Sequence, residues 1–345
     1  MKSRSRIKDN YRAWEINDDD FVKLENDEIR LLFLCRYAIL APSGHNTQPW
    51  RIEQKDDGGL DLYINRAHFL EGGSEALLQV EPHVSMGTFL ETLMAAGLGH
   101  GYQVAVQYVL EGDKIANIAM GKRVKPVPEL LAAIKSRVSN RNFFETAKLD
   151  PKLINSLGVS GFSGVKSSII ENRAEIEWLA TQTEIAIKAI MSSRKYRREL
   201  SQWVRNNFTG KYDGMPGFTH GVAGFPSLFA KIAINASAKL GPPAGHSADL
   251  IRNSSALIIV GYSDEELANY IDVGREYSRV SLLAQRHSVS SSALGAAVID
   301  PTSRKDVVAH FGLDYRPVVI LRVGRTKINA PHTPRWSLAS LTQSY

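Results

Sequence analysis

Two short segments concentrate the side chains able to do chemistry. The first, Ala41-Pro42-Ser43-Gly44-His45-Asn46-Thr47-Gln48-Pro49-Trp50-Arg51, packs small residues, amides and hydroxyls into one loop. Such a loop aims several donors and acceptors at a planar, hydrogen-bonding ligand with no bulky side chain in the way. The same residues would equally serve as a self-satisfied turn. The second runs from Arg137 to Phe143 and holds Arg137, Ser139 and Arg141. Two guanidiniums and a hydroxyl at a helix N-terminus make a phosphate site; alternatively, Ser139 caps a helix and the arginines are exposed charges. Other motifs drop out. Gly245-His246-Ser247-Ala248-Asp249 lacks the closing glycine of a nucleophile elbow and follows Gly241-Pro242-Pro243 instead of a strand. Gly97-Leu98-Gly99-His100-Gly101 closes a helix, whereas a dinucleotide cradle opens one. There is no P-loop and no HExxH, and the nine histidines show no ligand spacing, so neither metal nor nucleotide-triphosphate chemistry is expected.

The pattern around these segments predicts the elements that position them. Glu28 to Leu40 reads as a helix stopped by Ala41-Pro42-Ser43-Gly44. Trp50 to Gln54 and Leu60 to Asn65 read as a hairpin around Asp57-Gly58-Gly59. Ser85 to Leu98 has apolar residues at helical spacing and is closed by Gly99 and Gly101; strands follow at Val104 to Leu110 and Lys114 to Met120. After Pro126-Val127-Pro128 come helices at Pro128 to Ser136 and Leu149 to Leu157, a strand at Val165 to Glu171 and a helix at Ala174 to Met191. Asn206 to Gly245 is rich in glycine, proline and phenylalanine and reads as a long irregular segment, the usual form of a lid or binding loop. Ala256 to Gly261 is a buried-type strand, Asp272 to Gln285 a helix and Val318 to Gly324 a final strand. The helices at His83 to Gly99 and Asp272 to Ala284 each follow a strand region, the pattern of an internal duplication.

A length of 345 residues fits two domains or one large integrated one. The single cysteine, Cys35, allows no internal disulfide and no thiolate cage, which points to a reducing compartment. No apolar run approaches the roughly 18 residues of a membrane span, and Met1 to Asp9 is basic and polar, without the apolar stretch of a signal peptide. The expectation is a cytoplasmic protein without a membrane partner. The net charge of +6 favours anionic partners, and nucleic acid and a phosphorylated cofactor both qualify. The densest basic cluster, Arg194, Lys195, Arg197 and Arg198 beside Glu199, lacks the interleaved aromatics of a nucleic-acid reader and is read as a solvated helix end. No nucleic-acid partner is expected.

The motifs also carry a family resemblance. APSGHNTQPWRI at Ala41 to Ile52 resembles the flavin-contacting loop of the nitroreductase family of FMN enzymes, and RVSNRNF at Arg137 to Phe143 is similar to that family's RRSxRxF phosphate turn. Gly274 to Leu294 resembles its central helix and following loop, and Val318 to Arg335 its last strand and terminal Pro-Arg, here Pro334-Arg335. The similarity spans Glu28 to Trp336. In the ordinary family member the turn precedes the loop and two protomers share each flavin. Here the order is reversed and neither half holds both pieces, which resembles the fused, lidded branch containing the Acg-type proteins.

The resemblance implies an α+β, nitroreductase-like fold: two related halves, residues 1–125 and 126–345, fused as an intrachain pseudo-dimer around central mixed sheets, with a lid at 206–245. It places Pro42, Ser43, Gly44 and Asn46, with Gln48 of the same loop, against the flavin ring and ribityl chain. Arg137, Ser139 and Arg141 match the phosphate turn, and Arg335 the cationic terminal partner. Near Ala293 and Leu294 the family supplies a backbone N–H to the reactive flavin nitrogen, although its usual Glu-Gly pair is absent. His45 has two readings, one facing the flavin and one as an ordinary surface or core histidine. The implied activity is hydride transfer from NAD(P)H to FMN and on to a nitroaromatic, quinone or similar acceptor, with the flavin carrying the chemistry. The alternative is a protein that stores or sequesters FMN. The internal pseudo-dimer makes a monomer sufficient, and further homodimer pairing is left open.

Overall fold

The computed structural model describes residues 8–69, 75–222, 224–240 and 244–342. Residues 1–7 and Gly241-Pro242-Pro243 therefore lie outside the described residues.

In the first half, Asn26 caps helix α1 (Asp27–Ala38) by accepting from the Ile29 amide. Strands β1 (Trp50–Gln54) and β2 (Leu60–Ile64) form the expected hairpin, with Gly58 taking the positive φ that its turn requires. Helix α2 (Glu75–His100) leads to β3 (Tyr102–Glu111) and β4 (Lys114–Arg123); α3 (Glu129–Ser136), past residue 125, opens the second half yet packs into the first half's apolar cluster. Helix α2 is longer than expected at both ends. It passes through Pro82 and through Gly99, where a side chain would collide with Leu131, and stops at Gly101 with φ +82°.

The second half contains α4 (Pro151–Gly158), β5 (Val165–Ile170), α5 (Arg173–Ser192) and α6 (Arg194–Trp203). Strand β6 (Val204–Arg205) follows, and the stretch read as irregular contributes its parallel partner β7 (Met215–Pro216) and two single 3₁₀ turns, Gly217–His220 and Phe225–Phe229. It also contains a true helix, α7 (Ala230–Leu240), which the two-residue spacing of Ile232 and Ile234 disguised. Next come α8 (Ala244–Arg252), β8 (Ala256–Tyr262), α9 (Leu267–Arg286), β9 (Ser290–Leu294), α10 (Ala296–Ile299), α11 (Pro301–Phe311) and β10 (Arg316–Gly324). The segment expected as a loop up to Leu294 thus ends in a strand, β9, paired to β10.

The class is α+β, as expected. The two four-stranded sheets have the orders β1-β2-β4-β3 and β5-β8-β10-β9, the same first-second-fourth-third arrangement, with α2 and α9 each placed between the second and third strands. Every described pairing in both sheets is antiparallel, which corrects the expectation of mixed sheets. Helices α2 and α9 each carry the chain across one strand, so the two parallel strands of each crossover, β2 with β3 and β8 with β9, are separated by an antiparallel strand and never pair directly.

Helices α2 and α9 cross at the centre with reciprocal geometry. A Cβ on Gly87 would lie 1.8 Å from the Ile271 carbonyl oxygen, and one on Gly274 would lie 1.9 Å from that of Val84. Each partner carbonyl sits three residues before the other glycine, the self-complementary contact of a two-fold axis. The two sheets differ in cover. β8 is buried throughout, between one apolar cluster that includes Tyr277 and Val280 of α9 and another that includes Leu179 of α5 and Ile251 of α8. The first sheet packs one apolar cluster around α1 and α2.

Candidate functional site

The first-half loop has unusual backbone geometry. His45, Asn46 and Gln48 have φ values of +46°, +57° and +53°, each in the left-handed region that side chains resist. Such strain costs about 1–3 kcal/mol per residue and persists only where surroundings over-determine it. Here they do. The Gly44 amide donates to Ser85 Oγ at 3.1 Å, Thr88 Oγ1 donates to the Pro42 carbonyl, and the Gln48 amide donates to Ser43 Oγ at 3.0 Å. Asn46 Nδ2 donates to the carbonyls of Gly214 and Pro334, at 3.0 and 3.1 Å, while Asn46 Oδ1 accepts from Arg335 Nη1 at 2.6 Å. Gln48 Nε2 donates to the Tyr212 carbonyl at 2.7 Å, and Gln48 Oε1 accepts from the Trp336 amide at 3.0 Å. The amides of Asn46 and Gln48 therefore tie the loop to residues 212–214 and to the C-terminal arm.

A cavity of about 300 Å³ opens between the two halves. Its wall includes Pro42, Ser43, His45 and Asn46 from the loop, Arg137, Ser139 and Arg141 from the turn, and Arg335. Residues separated by almost the whole chain thus converge on one cavity. Gly44, Gln48, Ala293 and Leu294 do not line it. Gly44 turns its Cα toward the Glu81 carboxyl, and Gln48 is wholly buried behind the loop. Ala293 and Leu294 pair with Leu321 and Ile320 in the sheet and pack into its apolar clusters, because β9 continues where a loop was expected.

The electrostatics of this cavity are one-sided. Arg137 Nη2 and Arg335 Nη2 share the Leu40 carbonyl at 3.3 and 3.1 Å, and Arg335 Nη2 also reaches the Ala41 carbonyl at 3.2 Å. These oxygens lie just past the C-terminus of α1, where the helix dipole favours cations. Among the described residues, no carboxylate forms an ion pair with Arg137, Arg141 or Arg335. Burial, followed by the Arg137 charge, pushes Arg335 down to about 9, and burial lowers Arg137 and Arg141 as well. Arg335 Nε is buried without a partner. His45, whose Nδ1 is also buried and unpartnered, is pushed down to about 4 by burial and by Arg141, so it is neutral near pH 7. Arg141 Nη1 lies 2.9 Å from Nδ1 of His220, which burial and Arg141 hold well below the usual imidazole range.

Three groups at the site were missed in the sequence. Arg322 is fully buried in β10 and stacks on Phe144 at 3.8 Å. Its Nη2 donates to the carbonyls of Asn140 and Asn142 at 2.9 and 2.5 Å, holding the basic turn in place. A lone arginine inside Val318-Val319-Ile320-Leu321-Arg322-Val323 was the available signal. Asn10 and Trp14, just past the basic stretch Met1 to Asp9 and given no role in the sequence reading, brace the C-terminal arm. The Asn10 carbonyl accepts from the Arg335 amide at 3.0 Å, and Trp14 Nε1 donates to the Thr333 carbonyl at 2.9 Å. The basic cluster also differs from expectation. Arg194, Lys195 and Arg198 are exposed on α6, but Arg197 is buried against the Met191 and Ser192 carbonyls.

The position related by pseudo-symmetry on the other side of the central helices holds ion pairs. Arg275 follows Gly274 as Thr88 follows Gly87, and it lies 4.5 Å over the Phe162 ring in the loop before β5. Arg275 pairs with Glu91 and Asp272, at 3.2 and 3.5 Å, and Arg279 pairs with the fully buried Glu276 at 2.6 Å. Both cations there have carboxylate partners.

Comparison with solved structures shows similarity to flavin-dependent nitroreductases and a related deiodinase. The FMN and NADPH-dependent nitroreductase NfnB from sphigopyxis sp. strain HMH is 18% identical, with 63% of this chain and 98% of that one covered and a TM-score of 0.42. The FMN-dependent nitroreductase NfnB from Mycobacterium smegmatis, in complex with NADPH, is 14% identical, with coverage of 63% and 98% and a TM-score of 0.41. Iodotyrosine deiodinase bound to FMN and 3-iodo-L-tyrosine is 13% identical, with coverage of 60% and 95% and a TM-score of 0.39. No family model matches the chain, and no curated protein does. No helix among the described residues is long and apolar enough to cross a membrane, and no group of metal-ligating side chains is found among them.

Proposed function

We propose that the chain is an FMN-dependent oxidoreductase of nitroreductase type, with one flavin site between residues 1–125 and 126–345. The observation that carries this reading is the cavity wall: a strained, polar loop from one half faces Arg137, Arg141 and Arg335 from the other, and these cations have no carboxylate among the described residues. Burying unpaired cations side by side is expensive, and a dianionic phosphate relieves the cost. The unpartnered Arg335 Nε fits such a group. The mirror position, with its cations already matched, favours one flavin per chain instead of two.

When bound, FMN supplies hydride acceptance from NAD(P)H and electron delivery to a nitroaromatic, quinone or similar acceptor. The protein's part is placement. Arg137, Ser139 and Arg141 hold the phosphate end, with Arg335 as a further cation. Pro42 and Ser43 lie where a flat ring would be received, and neutral His45 adds no positive charge to the cavity wall. The 206–245 segment acts as a lid: its Met215, Phe218 and Thr219 form part of the wall, and its Gly214 is tied to Asn46 in both directions. Ala293 and Leu294 have no proposed contact with the flavin.

Anaerobic absorbance titration tests this. The expectation is about one FMN per chain, bleached by NADPH or NADH. Two flavins per chain would defeat the single-site argument. Bleaching by dithionite but by neither nucleotide would favour a storage protein, for which the extensively anchored lid segment speaks. A colourless chain that cannot be reconstituted would remove the reading.

A further inference from the structure

The chain's positive charge is not spread evenly. Residues 194–248 hold eight basic and two acidic residues, while the rest of the chain has 34 of each, so the entire +6 excess lies in this segment. Neither acid offsets it at the surface: Glu199 is buried, and Asp213 is paired with buried Arg205 at 2.7 Å. From residue 214 to 248 there is no acid at all.

The same segment is inverted relative to an ordinary solvated loop. Five of the twelve large apolar side chains exposed among the described residues fall between 208 and 232: Phe208, Phe225, Leu228, Phe229 and Ile232. Phe225 and Phe229 are 76% and 63% exposed, while Ser227 between them is 2% exposed. Its polar groups point inward: Ser227 Oγ accepts from the Asn207 amide at 3.0 Å, and Asn207 Oδ1 accepts from the Phe218 amide at 2.8 Å. The Phe208 and Phe225 rings lie 5.7 Å apart, and Lys231 is exposed between Phe229 and Ile232. Helix α7 packs on α6, whose Arg194, Lys195 and Arg198 are exposed.

We propose that this face docks on an anionic lipid bilayer, with Phe225, Leu228, Phe229 and Ile232 entering the headgroup boundary and Arg194, Lys195, Arg198 and Lys231 facing lipid phosphates. Contiguous exposed apolar side chains rimmed by lysine and arginine are the mark of interfacial binding, in which hydrocarbon burial and attraction to anionic lipid act together. A second copy of the chain fits poorly, since each copy presents the same positive charge. Nucleic acid fits less well than lipid, because leucine and isoleucine offer bases neither stacking nor hydrogen bonds. That no helix among the described residues is long and apolar enough to cross a membrane has no bearing here, because surface docking needs no span. The segment that forms the cavity wall also carries the docking face, and docking itself requires no bound cofactor.

Flotation of the purified chain with phosphatidylcholine vesicles, with and without phosphatidylglycerol, tests the proposal. The expected result is flotation with the anionic vesicles alone, weakened by salt. The triple variant Phe225→Ser, Phe229→Ser, Ile232→Ser and the charge reversal Lys195→Glu, Lys231→Glu should each lower affinity at least about tenfold, with unchanged circular dichroism and thermal midpoint. No flotation overturns the proposal, as does flotation that the triple variant leaves unaltered, which would reflect net charge alone. Self-association abolished by the triple variant without vesicle binding would make this face an interface between copies. Binding to a single-stranded oligonucleotide in place of vesicles would likewise overturn it.

Discussion

Arg335 Nη1 donates to Asn46 Oδ1 at 2.6 Å, joining residues 289 positions apart inside the cavity wall. This bond clamps the left-handed loop against the C-terminal arm, and both side chains have further partners there: Asn46 Nδ2 bonds Gly214 and Pro334, and Arg335 Nη2 bonds Leu40 and Ala41. Asn46→Ala removes the acceptor from a buried charged donor. The expected loss is about 1–3 kcal/mol, read as a lower urea midpoint with an unchanged m-value. No loss would mean that the loop holds its shape without the clamp.

Arg137 and Arg141 test the phosphate site. Each charge-assisted hydrogen bond to phosphate is worth about 1.5–3 kcal/mol. The double variant Arg137→Ala, Arg141→Ala should therefore release FMN on gel filtration. Full flavin occupancy in that variant would place the phosphate elsewhere.

A companion expectation runs in the opposite direction. Without ligand, Arg137 and Arg335 repel each other, and the Arg137 charge contributes to the lowering of Arg335. Arg137→Met keeps most of the side-chain volume and removes that repulsion. The flavin-free variant should have a thermal midpoint equal to or above that of the flavin-free parent, while binding FMN more weakly. A clear fall in the midpoint would show that Arg137 is chiefly structural.

The central helix crossing tolerates no Cβ. Gly87→Ala and Gly274→Ala each place a methyl within 2 Å of a backbone oxygen, so separation of α2 and α9 is the only relief. Each should cost about 3 kcal/mol or more, seen in thermal melts. Similar losses for the two variants are expected from the reciprocal geometry.

Acid should weaken the fold through buried neutral histidines. Burial pushes His45, His100 and His332 down to about 4, from an ordinary value of 6.5. A depressed imidazole value means the unfolded chain binds protons first, so the contribution is fully present above about pH 6.5 and is lost as pH falls through about 4. Urea midpoints should decline across that window. Glu81 acts at the other side: burial, then Glu199, raises its carboxyl to about 7, so its contribution is complete below the ordinary value of 4.5 and fades as pH rises through 7. Glu81→Gln should flatten the neutral-pH decline.

Local patterning alone determined a good deal. The β1–β2 hairpin, the stop of α1 before Pro42, the apolar faces of α2 and α9, and the last strand all follow from periodicity and turn chemistry, because those signals report neighbours a few residues away. The loop from Ala41 and the turn from Arg137 were recognisable by their residue types for the same reason. Only the tertiary structure decided which cations remain without a carboxylate. Arg275 and Arg279 look no different in sequence from Arg137 and Arg335, yet the first two meet Glu91, Asp272 and Glu276, while the others meet helix-end carbonyls. It also withdrew Ala293 and Leu294 into a sheet and turned Gln48 away from the cavity, since strand pairing and buried amide bonds depend on partners far along the chain. Ion pairing and desolvation are set by distance in space, so a chain-local reading can name the charged residues but cannot assign their partners.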